Sequence, residues 1–477
     1  MLKSAKIIKS YPATLAVGLV ITVGALVRLH NLGIDSLWLD EAISWSQSKD
    51  SLVDVIRRTA SDNYYPPLHN LFLFAVIKFF GDGEWSLRLP SAIFGVAGIA
   101  ALYWLGTMTV GRTAGLLGAV MLAFSPFHFK YSQEARMYSL LALTATLYAA
   151  TCFYYLRAPS LGRGALVSVA GLALVYSHPY GVLDWIAIAV AFAAFAFSPM
   201  SLSRRRAVLV WAASNIIIAV GFAPWALILA DRAKSILTNG FWIPAPTPEF
   251  TLKMLEDLTG GGLFLGVVLA GVVLSVVGRL RTDVMVLCSW IVAPIAFALV
   301  ISIVSTPILY PRYVIGSLPP LFLLSSFGYT KYAKNWQGAI LFMLVAVVVA
   351  GLAFWGDDPY RNTKNDWRSV ASFLSERMRE NDCVLSIPGY FALPLSYYRR
   401  NSPCQWAPNK VADLPSKINA SVLFTILTVH DTFAAALQAP ILNELRRRGW
   451  NELDRTEFRG LQVVTLRRQD DKTSPEE

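Results

Sequence analysis

Residues 12–32 read PATLAVGLVITVGALVRLHNL, an apolar run interrupted by a single charge, Arg28. A helix needs about 20 mostly apolar residues to cross a bilayer, so this stretch reads as a membrane span. It is too long, and lacks the small-residue cleavage site, to be a removed signal peptide. Lys3, Lys6 and Lys9 precede it, which places the N-terminus on the cytoplasmic side. Working outward, runs of the same kind recur at about 88–109, 113–130, 137–156, 164–178, 181–199, 207–229, 261–278, 284–304, 314–330 and 337–355, for about eleven spans in all. Every loop that this order puts inside is basic: Arg112; Arg157 and Arg163; Arg204 to Arg206; Arg279 and Arg281; Lys331 and Lys334.

Composition agrees. Of 477 residues, 55% are hydrophobic and 15% charged, with mean hydropathy +0.49. A soluble chain carries about 25% charged residues. A soluble enzyme, a disordered regulator, a collagen-like chain and a disulfide-built secreted domain are excluded. The net charge of +11 fits cytoplasmic loops rather than nucleic acid, because no basic stripe with interleaved aromatics occurs.

The first outer loop, about 33–87, is long and acidic. Within it 41–48 and 51–61 read as amphipathic helices on the membrane surface, and 68–80 as an interfacial or re-entrant segment. After Trp355 the chain turns polar. Helices are expected over 366–381 and 434–449, and strands over 383–387, 421–426 and 461–466. The chain thus divides into a helical membrane domain, 1–355, and a small α/β domain, 356–477, which an odd number of spans puts outside. Cys152 and Cys288 lie in apolar runs as fillers; whether Cys383 and Cys404 pair is a matter of geometry.

Four constellations carry candidate chemistry, and all fall on the outer face. Leu37-Trp38-Leu39-Asp40-Glu41-Ala42 sets two carboxylates beside aromatics. This suits a general base, and equally a helix start in which Asp40 caps and Glu41 sits in the first turn. Tyr64-Tyr65-Pro66-Pro67-Leu68-His69 is a stiff lead into an apolar helix, with His69 one turn in and able to donate to a phosphate. Ser132-Gln133-Glu134-Ala135-Arg136-Met137-Tyr138 places an acid and a base where both are costly unless paired or functional. Tyr310-Pro311-Arg312-Tyr313 reads as an anionic headgroup clamp or an aromatic belt with a snorkelling arginine. His178-Pro179-Tyr180 reads chiefly as a turn cap. Carboxylates with cationic groups at one membrane face point to a lipid-phosphate substrate.

These motifs resemble the multi-spanning GT-C glycosyltransferases, specifically the bacterial family-39-like group related to protein O-mannosyltransferases and to the aminoarabinose-lipid A transferase. The likeness rests on Asp40-Glu41-Ala42, Tyr65-Pro66-Pro67-Leu68-His69, Arg88-Leu89-Pro90-Ser91, Ser125-Pro126-Phe127-His128 with the 132–138 motif, Pro311-Arg312-Tyr313, and Asp366-Trp367-Arg368 leading to Tyr397-Tyr398. It implies a hexosyl or pentosyl transferase. The sugar would pass from a polyprenyl-phosphate donor to a hydroxyl of a cell-envelope acceptor: lipopolysaccharide, polysaccharide or glycolipid. It implies Asp40 as base and Glu41 as its neighbour in positioning. Arg136 and Arg312 would hold the donor phosphate, with His69, Glu134, Tyr65 and Tyr310 around the substrate. Tyr65 stands where the aminoarabinose group tends to have lysine, which argues against that substrate. No segment is long enough for the β-trefoil insertion of the eukaryotic mannosyltransferases. The expected setting is the bacterial inner membrane, with the C-terminal domain periplasmic or extracellular. No cofactor is expected; a divalent cation is disfavoured because Asp40 and Glu134 lack a clear third ligand. Protein O-glycosylation and lipid or sugar transport are the alternatives.

Overall fold

The computed structural model describes residues 11–63, 65–196, 205–240, 242–260, 262–333, 338, 341, 345, 364–399, 404–429 and 432–468. Lys3, Lys6, Lys9, Tyr64, Arg204, Phe241, Lys334 and nearly all of the expected run 337–355 lie outside the described residues. The chain forms two compact units. The first comprises Met1–Leu32, Gln47–Gly81 and Ser86–Asp358; the second comprises Gly33–Ser46, Asp82–Trp85 and Pro359–Glu477.

The first unit is helical: α1 (Tyr11–Leu29), α3 (Leu52–Arg58), α4 (Leu68–Phe80), α5 (Glu84–Met108), α6 (Arg112–Phe124), α7 (Pro126–Ser132), α8 (Tyr138–Arg157), α9 (Leu161–Val175), α10 (Tyr180–Ala191), α11 (Arg205–Asn239), α12 (Pro248–Thr259), α13 (Gly262–Val276), α14 (Thr282–Val304) and α15 (Leu318–Tyr332). Helix α2 (Leu39–Ser48) belongs mostly to the second unit. By length and hydropathy α5, α8, α11 and α14 can each cross a membrane, and the bent pair α12–α13 would make a fifth. The expected count of eleven is therefore not reached among the described residues. Other apolar helices are shorter, as at α4, α6, α9 and α10. In the run 113–130, Ser125-Pro126 ends α6 and starts α7, since proline suits a first helical position.

A buried guanidinium fixes the start of this unit. Arg28 is fully buried and donates to the carbonyls of Gly24 (3.2 Å), Leu122 (3.1 Å) and Ala123 (2.9 Å), to Ser132 Oγ (3.3 Å) and to His128 Nδ1 (2.9 Å). The end of α6 and α7 are thereby held to α1. Gly95 makes room: a Cβ there would lie 2.2 Å from Ser132 Oγ. Close helix approach elsewhere also depends on glycine. A Cβ on Gly106 of α5 would stand 2.3 Å from Gly115 Cα of α6.

In the second unit, α16 (Trp367–Arg377), β1 (Cys383–Ser386), α17 (Ala392–Tyr398), β2 (Gln405–Trp406), β3 (Val422–Thr428), α18 (Thr432–Arg447), β4 (Trp450–Phe458) and β5 (Leu461–Arg468) build a five-stranded sheet of order β2-β1-β3-β5-β4. Strand β1 runs parallel to β2 and β3; β5 is antiparallel to β3 and β4. Central β3, Val-Leu-Phe-Thr-Ile-Leu-Thr, is apolar almost throughout because both its faces are covered. Strand β4 escaped the sequence reading: apart from Leu453, Asn451 to Glu457 are polar, and they are mostly exposed, which suits an edge strand. Gly460, at φ +73°, closes the β4–β5 hairpin. Cys383 and Cys404 form a disulfide that ties β1 to the start of β2.

Replacing Arg28 by Met should lower stability by about 2–4 kcal/mol, since four oxygens lose a charged donor inside the helical unit. Thermal unfolding in detergent measures this; an unchanged midpoint would show that Arg28 holds nothing.

Candidate active site

In the first unit, Arg136 and Arg312 stand by the ring of Tyr138, with Tyr65 beside Arg136 and Tyr310 beside Arg312. Three irregular segments bring them there. The first is the lead-in Tyr65-Pro66-Pro67, whose prolines are buried and whose Leu68 N–H donates to Tyr176 O at 3.2 Å. The second is the bend 133–137 between α7 and α8. Gln133 Nε2 anchors it on the carbonyls of Arg28 and His30, and Arg136 N–H donates to Glu134 O at 2.7 Å. The third is Tyr310, extended, followed by the 3-10 turn Pro311–Ser317, with Tyr313 N–H donating to Tyr310 O at 3.0 Å. Ser302 of α14 steadies this third segment by accepting from Ile308 N–H and Leu309 N–H, each at 2.9 Å.

The two guanidinium groups approach the same ring. Arg136 Cζ lies 5.9 Å from the centre of Tyr138 and 5.4 Å from that of Tyr65. Arg312 Cζ lies 5.7 Å from Tyr138, 5.0 Å from Tyr310 and 5.3 Å from Trp242. These are cation–π distances. The hydroxyls of Tyr65 and Tyr313 meet at 3.1 Å, joining the first segment to the third. Glu134 and Arg136 are 2% and 4% exposed, so the charges sit in a low-dielectric setting where they act strongly. Arg136 and Arg312 bring two guanidinium groups to this cluster, chemistry that suits an anion.

His69 takes a different place from the one expected. Ser91 Oγ donates to Arg136 O at 2.9 Å, so it accepts from His69 Nε2–H at 3.3 Å. That network assigns the proton to Nε2 and leaves Nδ1, buried and without a hydrogen-bond partner, as an acceptor. A neutral His69 cannot donate to a phosphate from Nδ1; it supports the backbone of Arg136 through Ser91.

Asp40 and Glu41 belong to the second unit, in the first turn of α2. The helix begins at Leu39, two residues before the expected 41. Glu41 is fully buried, and its Oε2 accepts from Trp38 N–H at 3.4 Å and from Lys364 Nζ at 3.3 Å. Capping of this helix is thus done by Glu41 reaching back, the half of a capping box that glutamate supplies. Around them Tyr398 Oη accepts from Leu37 N–H at 2.7 Å and donates to Glu84 at 3.0 Å, and Arg368 pairs with Glu84 at 2.7 Å. The segment 33–46 is fixed to α16 and α17 by these bonds. Burial raises the Tyr398 pKa, which keeps the phenol protonated as that donor. Among the described residues, no three His, Cys, Asp or Glu side chains gather in a way that could hold a metal ion.

Sequence reading passed over Tyr138 and Tyr313 as site residues. The signal was present: each lies one or two positions after the arginine it accompanies.

Replacing Glu41 by Ala should lower stability by about 2–3 kcal/mol, and by Gln less, since Gln keeps an acceptor for Trp38 N–H. Paired thermal unfolding curves check this; equal effects of the two changes would remove the cap from the account.

Residues 65–228 match the family model described as "Dolichyl-phosphate-mannose-protein mannosyltransferase". No curated protein matches the chain by sequence. Among solved structures the chain is similar to ArnT from Cupriavidus metallidurans in the apo state, with TM-score 0.61 and 14% identity over 95% of this chain and 98% of that one. It is also similar to the same protein bound to undecaprenyl phosphate, with TM-score 0.59 and 15% identity over 96% and 99%. A third likeness is to the archaeal oligosaccharyltransferase AglB from Archaeoglobus fulgidus, in complex with an inhibitory peptide and a dolichol-phosphate. Its TM-score is 0.57, with 12% identity over 98% of this chain and 75% of that one. The chain therefore shares its helical fold with ArnT and AglB, and its residues 65–228 carry the match to the mannosyltransferase family model.

Proposed function

We propose that the protein is a glycosyltransferase that moves a hexosyl or pentosyl group from a polyprenyl-phosphate-linked donor to a hydroxyl of a cell-envelope lipid or polysaccharide. The setting is the outer face of a bacterial inner membrane, with the N-terminus cytoplasmic and the C-terminal α/β part on the periplasmic or extracellular side. The observation that carries this reading is the pair of guanidinium groups, Arg136 and Arg312, around one buried tyrosine ring. Support comes from the similar folds that hold undecaprenyl phosphate and dolichol-phosphate.

The chemistry follows from charge. The acceptor oxygen attacks the anomeric carbon, its proton passes to the Asp40 carboxylate, and the bond from that carbon to the phosphate oxygen breaks. Polyprenyl phosphate leaves with the electron pair. The donor phosphodiester carries one negative charge and the departing phosphomonoester gains a second. Cations fixed beside it therefore bind the transition state better than the ground state. Arg136 and Arg312 supply that charge, so no obligatory metal is invoked. Glu41 sets Asp40 by holding the first turn of α2; Tyr65, Tyr310, Glu134 and His69 hold the arginines and the segments that carry them.

The test uses the full chain in lipid, a panel of polyprenyl-phosphate sugars, and glycolipid and polysaccharide acceptors, with products read by mass spectrometry. A mass gain of one sugar that falls at least about 100-fold in Asp40→Asn is expected, the usual contribution of a general base. A gain that survives this change removes Asp40 as the base, and no transfer from any donor overturns the reading. The family-model match favours one second reading, transfer to a protein hydroxyl, which a peptide acceptor in the same panel examines.

A further inference from the structure

His178 lies in the turn between α9 and α10 and is 1% exposed. Its Nδ1 accepts the backbone N–H of Tyr180 at 3.1 Å. A nitrogen that accepts from an N–H carries no proton, so in the neutral ring the proton is on Nε2. Nε2 is buried and has no hydrogen-bond partner. A buried N–H left unanswered costs free energy, so such groups are rare without a reason. The imidazole stands among the arginine-bearing tyrosines: its centre is 5.2 Å from that of Tyr313, 5.5 Å from Tyr65 and 5.9 Å from Tyr138. The ring is thus a neutral donor set among the tyrosines that accompany the two arginines.

We propose that His178 Nε2–H is a third hydrogen-bond donor to the phosphate of the lipid-linked substrate, beside Arg136 and Arg312. This rests on the reading of that cluster as the donor-phosphate site. A neutral donor adds directionality without further like-charge repulsion between the two guanidinium groups. It also explains the turn, in which the Nδ1 bond to Tyr180 N–H fixes both tautomer and ring.

Two substitutions separate this role from simple turn capping. His178→Asn retains an acceptor where Nδ1 stood and loses the outer N–H. His178→Gln reaches the Nε2 position with an amide N–H. The full chain in lipid nanodiscs is titrated with undecaprenyl phosphate and, as an uncharged control, undecaprenol; unfolding midpoints are recorded in parallel. The proposal expects His178→Asn to weaken undecaprenyl phosphate about tenfold, as for a hydrogen bond to a charged group, and His178→Gln to stay within about threefold of the native protein. Undecaprenol binding should not change. If Asn binds the phosphate as well as the native residue, or if Asn and Gln weaken it alike, the proposal is overturned. Arg312→Ala distinguishes the two levels: undiminished phosphate binding there overturns the donor-site reading itself.

Discussion

A guanidinium buried in an apolar helical unit cannot lose its proton, so the surrounding structure must answer it. Arg28 is answered by carbonyl oxygens and side chains of neighbouring elements, and that need locks α1, α6 and α7 together. Arg136 and Arg312 stand instead against faces of tyrosine and tryptophan rings. An aromatic face attracts a cation through its ring quadrupole, so these rings help hold the two charges in place. One requirement therefore gives a structural clamp in one place and a candidate binding site in another.

The irregular segments matter because of where they sit. A helix can offer an arginine only along its own face. The bend at 133–137 and the 3-10 turn at Pro311–Ser317 instead bring Arg136 and Arg312 to one ring, and the lead-in at Tyr65 joins them through Arg136 and Tyr313. Each is held by few but specific bonds: Gln133 to the end of α1, Ser302 to the chain before Tyr310, and the Tyr65–Tyr313 hydroxyl pair. The segment that carries Asp40 is held in the same manner within its own unit, by Tyr398, Arg368 and Lys364.

Much of this was legible in the chain. The arginines of the Glu-Ala-Arg and Pro-Arg-Tyr motifs drew attention because charge beside an apolar run is costly. The structure adds detail to two histidine readings. His69 was expected to face an anion as a donor, yet its donor is spent on Ser91. His178 was weighted as a turn cap, and it is one, but through only one of its two nitrogens. Residue type alone cannot say which imidazole nitrogen carries the proton; that follows from the partner of the other.

The sequence by itself determined that the chain is a polytopic helical protein with a polar α/β end, because apolar runs and their basic flanks are local properties. It also determined which residues were too costly to be idle. Only the tertiary structure decided that Arg136 and Arg312, 176 positions apart, share the ring of Tyr138, that Cys383 meets Cys404, and that Gly33–Ser46 belongs with the C-terminal unit. Such pairings are set by the packing of distant helices and strands, and no local pattern of hydrophobicity or charge encodes them.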